Sequence, residues 1–275
     1  MSVIRGFARG RDGTRLYWEL AGPEDAPPLL LIRGLARSSS YWLGFRPLLE
    51  RERRVLVLDN RGVGRSDTPP LFWTTRDMAD DAAAVLAESG VERADVFGIS
   101  LGGMIAQELA LRHPHRVGHL VLACTSPGGA GARPISPRAA LSLARTARMG
   151  PREAQANNAR WVLAPRFLAE RPDIVEAWTQ IAEREPSTTR GLLGQVAAAA
   201  RHDAWRVLPH LTHETLVLCG DADALMPPVN SERLAARLPN ATLEWVPGGG
   251  HDFPTERPEE TAARVLAFCR GPRLA

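Results

Sequence analysis

A serine at the tip of a predicted turn is the residue in this sequence best suited to covalent chemistry. Ser100 lies in the pentapeptide Gly-Ile-Ser-Leu-Gly at 98–102, with an apolar run at 94–97 before it and a helix-forming run at 101–113 after it. A serine on a sharp turn between a strand and a helix has a strained backbone and an exposed hydroxyl. Flanking glycines allow the strand and the helix to pass close together. The pattern predicts that Ser100 is a nucleophile.

A serine hydroxyl needs a base to take its proton and a third group to orient that base. The sequence offers both groups after two later apolar runs. Asp223 lies in the loop that follows 215–219, and His251 ends a Gly-Gly-Gly-His run that follows 242–246. Loops at the carboxyl ends of parallel strands meet at one edge of a sheet. We therefore expect Asp223 and His251 to lie near Ser100.

The elements that must position these residues alternate between strands and helices. Strands are predicted at 2–8 and 15–20 (a hairpin), 29–32, 55–58, 94–97, 119–124, 215–219 and 242–246. Helices are predicted at 41–50, 75–89, 101–113, 231–238 and 258–269. Continuous apolar strands separated by helices are typical of an α/β protein with a mostly parallel sheet that is buried on both faces.

Residues 127–212 interrupt this alternation. The segment is rich in Ala and Arg, contains no convincing strand, and has several prolines that suit helix starts. We predict four or five short helices there, forming a cap inserted into a core made of 1–126 and 213–275. The tryptophans of this segment either form the cap's own core or line a substrate pocket, and the sequence leaves both open. They are Trp161, Trp178 and Trp205.

Composition excludes several classes of protein. The 34 basic residues are all arginines, interleaved with 31 acidic residues, and the net charge is +3. There is no basic stripe of the kind that nucleic-acid binding needs. We see no secretory signal near the amino terminus and no apolar run of membrane-spanning length, so we expect a cytoplasmic protein without membrane contact.

Metal, cofactor and disulfide chemistry are also disfavoured by the sequence. No group of His, Cys and carboxylate residues has the spacing of a metal site, so we expect neither metal nor cofactor, and activity that survives EDTA. An odd number of cysteines at unrelated spacings indicates buried free thiols. These cysteines are Cys124, Cys219 and Cys269.

Four further motifs resemble those of the α/β-hydrolase superfamily, in that family's order. They lie at 33–42 (R-G-L followed by W), 59–66 (D-N-R-G-V-G-R-S), 220–227 (G-D-A-D followed by P) and 250–258 (G-H followed by E-x-P). The sequence is identified as a member, and its Gly-Ile-Ser-Leu-Gly-Gly run at 98–103 resembles the enol-lactonase and polyketide-ester hydrolase groups. The resemblance implies an α/β-hydrolase fold: a mostly parallel eight-stranded sheet flanked by helices, with a helical cap inserted late in the chain.

The resemblance also implies roles for residues of the site. Ser100, His251 and Asp223 would form a catalytic triad. The backbone N–H groups of Leu35 and Leu101 would form an oxyanion hole, where each donor is worth roughly 3 kcal/mol. No cofactor is implied.

Some assignments remain open between two interpretations. Asp221 is the rival of Asp223 for the acid, and the family's spacing from the preceding glycine favours Asp223. Arg33 stands where relatives carry a histidine. It is either a scaffold residue that donates to nearby carbonyls, which we favour, or a residue that binds a substrate carboxylate.

Two groups of residues are expected to have structural and not functional roles. The segment 59–66 is expected to be a tight turn in which Arg61 donates to backbone carbonyls. The histidines other than His251 are expected at the surface or in the cap. They are His113, His115, His119, His202, His210 and His213.

The leading hypothesis is a serine hydrolase that cleaves a small-molecule carboxylic ester or lactone through an acyl-enzyme. The insertion suggests a substrate with a largely apolar acyl or alcohol part, and a homo-oligomer stays open. The alternatives are a carbon–carbon bond hydrolase, a cofactor-free perhydrolase, or a hydrolase-like ligand-binding receptor. Turnover of p-nitrophenyl butyrate separates an enzyme from a receptor.

Overall fold

The computed structural model describes residues 3–70 and 72–271. In these residues the strands are β1 (Ile4–Arg9), β2 (Arg15–Ala21), β3 (Pro28–Ile32), β4 (Arg54–Leu58), β5 (Ala94–Ile99), β6 (Val117–Ala123), β7 (Thr215–Gly220) and β8 (Ala241–Val246). They form one sheet in the order β1-β2-β4-β3-β5-β6-β7-β8. β2 pairs antiparallel with β1 and β4, and all other neighbours are parallel. The predicted mostly parallel, eight-stranded sheet is confirmed; residue 2 of the predicted first strand lies outside the described residues.

The helices cover both faces of the sheet. They are α1 (Phe45–Leu49), α2 (Thr75–Glu88), α3 (Leu101–Arg112), α4 (Pro137–Arg145), α5 (Pro151–Val162), α6 (Pro165–Glu170), α7 (Asp173–Arg184), α8 (Thr189–Ala200), α9 (Val229–Arg237), α10 (Phe253–Glu256) and α11 (Pro258–Cys269). One apolar cluster packs α2, α3 and α9 on one face, and a second packs α1 and α11 on the other. Successive residues of β3 alternate between the two clusters, because side chains alternate across a strand.

The segment predicted as one helix at 41–50 is divided in the structure. A 3₁₀ turn at Ser39–Trp42 is followed by α1, and Leu43 between them has a φ of +29°. Pro47 has no N–H, so it can lie only in the first turn of a helix, and α1 begins two residues before it.

Helices α4 to α8 lie between β6 and β7, in the segment predicted as a cap. α4, α5 and α6 each begin with a proline, as expected for residues that have no N–H to donate. The segment has its own small apolar cluster, to which Tyr41 of the preceding 3₁₀ turn also contributes. No helix among the described residues is long and apolar enough to cross a membrane.

Candidate active site

Ser100 occupies a strained turn between β5 and α3. Its backbone angles are φ +57° and ψ −122°, outside the regions that non-glycine residues usually adopt. The turn is held by neighbouring backbone, because the Ser100 N–H donates to Ala123 O at 2.9 Å and Gly103 N–H donates to Ser100 O at 2.9 Å. The hydroxyl of Thr125 also donates to Ser100 O, at 2.6 Å. The strain is therefore balanced by contacts from β6 and α3.

Two glycines allow this turn to pack against the sheet. A Cβ at position 98 would lie 2.3 Å from Gly102 O, and a Cβ at position 102 would lie 2.0 Å from Ile32 O. Both distances are far shorter than any side chain allows. The close approach predicted for this turn is present, and it brings the start of α3 against the end of β3.

His251 and Asp223 form a buried pair at the same edge of the sheet. His251 Nδ1 lies 2.8 Å from Asp223 Oδ2. The other oxygen, Asp223 Oδ1, accepts the backbone N–H groups of Leu225 and Met226, each at 2.8 Å. Asp221 is exposed and accepts the N–H of a glycine in the loop after β8, so the contact with His251 is made by Asp223.

The pair favours a protonated imidazole. Burial of His251 disfavours its charged form, but the neighbouring acidic groups, Asp223 foremost, together raise the pKa of His251 above its ordinary value. The carboxylate of Asp252 adds to this effect. An imidazole placed in this way can take a proton from a hydroxyl and hold the resulting charge.

The loop after β3 packs against Ser100. A Cβ on Gly34 would lie 3.0 Å from the Cβ of Ser100, so this loop packs directly on the candidate nucleophile. In the part of the chain that the structure describes, the N–H groups of Leu35 and Leu101 have no protein acceptor. Leu101 is the first residue of α3, where N–H groups lack a partner within the helix. The oxyanion hole at these two residues stays a prediction.

The cap holds this loop through residues that the sequence did not indicate. Gln195 of α8 is fully buried; its Oε1 accepts the N–H of Ala36 at 2.8 Å and its Nε2 donates to Arg61 O at 2.9 Å. Glu185, at the end of α7, accepts the hydroxyls of Ser38 and Ser40. Because the partners lie about 150 residues apart in the chain, no local pattern could have shown these contacts.

Arg33 is a scaffold residue. Its guanidinium pairs with both carboxylate oxygens of Asp252, at 2.7 and 3.1 Å, and donates to Tyr41 O at 2.6 Å. The residue is only 2% exposed. Its buried pairing contradicts the assignment of Arg33 as a substrate-binding residue. The main partner of Arg33 is the carboxylate of Asp252, next to His251, whereas we expected only backbone carbonyls.

Glu256 connects the histidine loop to the cap. One of its oxygens accepts the N–H of Ala164 at 2.8 Å, and both accept the N–H of Gly250 at 3.1–3.2 Å. Burial raises the pKa of Glu256, although the two N–H donors oppose this shift. The N–H of Asp252 donates to Val162 O at 2.7 Å, so two neighbouring contacts fix the cap at the candidate base.

The three cap tryptophans have different surroundings. Trp178 is fully buried in the cap's own cluster, which contradicts its assignment to a substrate site. Trp205 packs against the apolar core, with the guanidinium of Arg237 over its ring at 5.0 Å. Trp161 lines an open cavity of about 500 Å³. Trp161 therefore lies beside a cavity large enough for a ligand.

Two further expectations are wrong. Among the described residues, the partners of the Arg61 guanidinium are the carboxylates of Asp81 and Asp12, and not backbone carbonyls. His119 is neither at the surface nor in the cap; it is buried in β6 and contacts Asp95 at 3.1 Å. In both cases a carboxylate distant in sequence compensates a buried polar side chain.

The fold brings metal-binding residue types together although their sequence spacing gives no sign of it. The donor atoms of Cys124, Asp223 and His251 lie within 4.8 Å of one another. So do those of a second buried group, Asp95, His119 and Cys269. In the second group Arg53 pairs with the aspartate, and its fixed positive charge disfavours a cation. Cys124 and Cys219 are buried free thiols, as predicted, and Cys269 is also buried.

Comparisons with known proteins agree with this architecture. A family model described as the alpha/beta hydrolase fold matches residues 27–258. A protein of Variovorax paradoxus (strain S110), whose name gives carbamate hydrolase RutD as a provisional activity, is 35% identical over 251 residues, 86% of this chain and 89% of that protein.

Solved structures give the same result. A malate-bound thermophilic esterase from Thermogutta terrifontis superposes with a TM-score of 0.82 at 28% identity, covering 97% of this chain and 98% of that one. The enol-lactonase from Burkholderia xenovorans LB400 superposes with a TM-score of 0.85, covering 97% and 100%, and at 21% identity this likeness concerns the fold.

The match of the family model contains every residue of the candidate site. It spans most of the chain, from before β3 to the start of α11, and it includes Ser100, Asp223 and His251. The family resemblance stated from the sequence motifs is thereby confirmed. The chain belongs to the family of the alpha/beta hydrolase fold.

Proposed function

We propose that the protein is a serine hydrolase that cleaves a carboxylic ester or lactone through an acyl-enzyme. The observation that carries the proposal is the buried 2.8 Å contact between His251 and Asp223, at the same sheet edge as the strained turn of Ser100. The esterase of Thermogutta terrifontis, at 28% identity, supports ester chemistry on this scaffold.

In the proposed reaction, Ser100 Oγ attacks the substrate carbonyl carbon while His251 Nε2 takes its proton. Asp223 accepts the Nδ1–H of His251, fixes the tautomer and stabilises the imidazolium that forms. The N–H groups of Leu35 and Leu101 stabilise the oxyanion. The imidazolium then protonates the leaving alcohol, which departs and leaves an acyl-Ser100. Water, deprotonated by His251, attacks this ester, and the acid and free Ser100 are released.

A second candidate is hydrolysis of a carbamate by the same residues. The relative from Variovorax paradoxus, whose name carries that activity, supports it at 35% identity. A carbamate passes through the same tetrahedral intermediate, so the geometry of Ser100 and His251 suits both substrates. The lone pair of the carbamate nitrogen makes the carbonyl carbon less electrophilic than that of an ester. The difference in rate between the two substrates would therefore come from the substrate and not from the triad.

Turnover of a small substrate panel tests the proposal. The panel contains p-nitrophenyl butyrate, a lactone and a neutral carbamate, and we expect the two carboxylic substrates to have the larger kcat/KM. Ser100→Ala should reduce kcat by about 10⁴-fold or more, leaving only residual catalysis. Ser89→Ala, whose hydroxyl donates to Leu86 O at the end of α2, is the control. Carbamate turnover exceeding the other two would favour the second candidate, and turnover by Ser100→Ala equal to wild type would overturn both.

A further inference from the structure

One face of α4 and one face of α5 line an open groove of about 500 Å³ in the cap. On α4 the lining positions include Arg138, Leu141 and Arg145, which are three and four residues apart and so share one side of the helix. On α5 they include the neighbours Arg160 and Trp161. The groove is therefore formed by two facing helix surfaces and is not a gap between loops.

The groove is positively charged and has no counter-ion of its own. Its lining contains three arginines and no acidic residue. In the described residues Arg138, Arg145 and Arg160 form no ion pair, whereas other cap arginines pair locally: Arg152 with Glu176, Arg166 with Glu170, and Arg171 with Asp173. Guanidinium groups without a counter-ion repel one another, and a carboxylate that binds them as a planar fork relieves this repulsion.

The groove also lies beside the loop that carries Asp223. Ala224, which directly follows the His251 partner Asp223, is part of its lining. Leu141 and Trp161 supply apolar surface beside the arginines, so the groove suits a ligand with a hydrocarbon body and a charged end. This differs from the largely apolar substrate that the sequence suggested.

We propose that this groove binds the carboxylate of an anionic ester substrate and so sets the specificity of the enzyme. The proposal rests on the proposed function, because it names the substrate class of the same site. Arg33 takes no part in it, since its guanidinium is occupied by Asp252.

The test compares hydrolysis of mono-p-nitrophenyl esters of glutarate, adipate and suberate with neutral alkanoate esters of equal chain length. In the variant R138Q/R145Q/R160Q we expect kcat/KM to fall by about tenfold for the best anionic ester and to stay within about twofold for its neutral match. The preference of the wild type should also weaken as salt is added. The control variant R152Q/R166Q/R171Q removes the same number of cap charges, and it should keep the anionic preference.

Binding of adipate, measured by titration calorimetry, separates this proposal from the proposed function because it needs no turnover. We expect adipate to bind the wild type and the Ser100→Ala variant alike, and about tenfold more weakly to the groove variant. If no ester is turned over but adipate binding follows this pattern, the proposed function fails, and only the assignment of the groove as a carboxylate-binding site stands. The groove assignment is overturned if adipate binds both triple variants equally, or if both lose the anionic preference equally.

Discussion

The two halves of the candidate site are held in place by different means. The nucleophile half, around Ser100, is fixed by backbone packed on backbone, with glycines at 98 and 102 where a Cβ would meet main-chain oxygens at 2.0–2.3 Å. The acid–base half, around His251, is fixed by buried side chains, chiefly the Arg33–Asp252 pair and Glu256. The backbone packing around Ser100 depends on a few residues that are neighbours in sequence. The side-chain pairs around His251 depend on individual partners, each of which can be removed by one substitution.

Among the residues that hold the two halves in place, the largest effect is expected from Asp223, the proposed partner of His251. Asp223→Asn keeps the shape of the side chain but removes its charge, so His251 loses the group that fixes its tautomer. We expect kcat to fall by up to about 10⁴-fold. The matched control is Asp221→Asn, which changes an exposed carboxylate two residues away. Steady-state kinetics on p-nitrophenyl butyrate measure both, and a greater loss in Asp221→Asn would contradict the geometry.

Loss of the buried pair beside His251 should act mainly on stability. Arg33→Met leaves Asp252 buried without its partner, which costs about 3–5 kcal/mol in the free energy of unfolding. Arg171→Met breaks an exposed pair and should cost about 0–1 kcal/mol. Chemical denaturation measures both. The change in kcat/KM of Arg33→Met should be equal for neutral and anionic esters, and a selective loss on anionic esters would return Arg33 to a substrate-binding role.

The nucleophile half can be tested by adding one methyl group. In Gly102→Ala the new Cβ meets Ile32 O, which belongs to a central strand, so the start of α3 must shift. Overpacking of this kind costs about 1–3 kcal/mol. Gly150→Ala, whose Cβ meets nothing within 4 Å, should leave stability nearly unchanged. Equal unfolding midpoints for the two variants would show that the close approach does not constrain the turn.

The smallest effect concerns pH. Since the neutral form of His251 is the proposed base and its pKa is raised, we expect kcat/KM to rise with pH along an acid limb centred above about 6.5. A raised folded-state pKa also stabilises the fold below the unfolded pKa, and this contribution is lost as pH rises through the folded value. The stability difference between wild type and His251→Gln should therefore shrink with increasing pH. A limb centred below 6.5 would contradict the role of Asp223.

The difference between backbone packing near Ser100 and side-chain pairing near His251 explains which features the sequence could predict. The turn at Ser100 could be predicted because its strand, its two glycines and its helix are adjacent in the sequence. The strands of the sheet could be predicted because each is a short apolar run. Arg33 and Asp252 are 219 residues apart in the chain, so their pairing arises only when β3 and the loop after β8 meet. Gln195 lies in an alanine-rich helix with nothing around it to mark its contact with Ala36.

The environments of Trp178 and His119 also depend on residues that are distant in sequence. Trp178 and His119 have residue types common in binding sites, but their burial is decided by packing partners from other elements. Type and spacing alone could not separate a core residue from a ligand contact.

The most direct test of the account is the position of a covalent adduct. The wild-type protein is treated with a serine-directed phosphonate, and the modified peptide is mapped by mass spectrometry. We expect one adduct, located on Ser100, formed more slowly in Asp223→Asn and absent in Ser100→Ala. An adduct on another residue, or labelling that persists in Ser100→Ala, would contradict the assignment of Ser100 as the nucleophile.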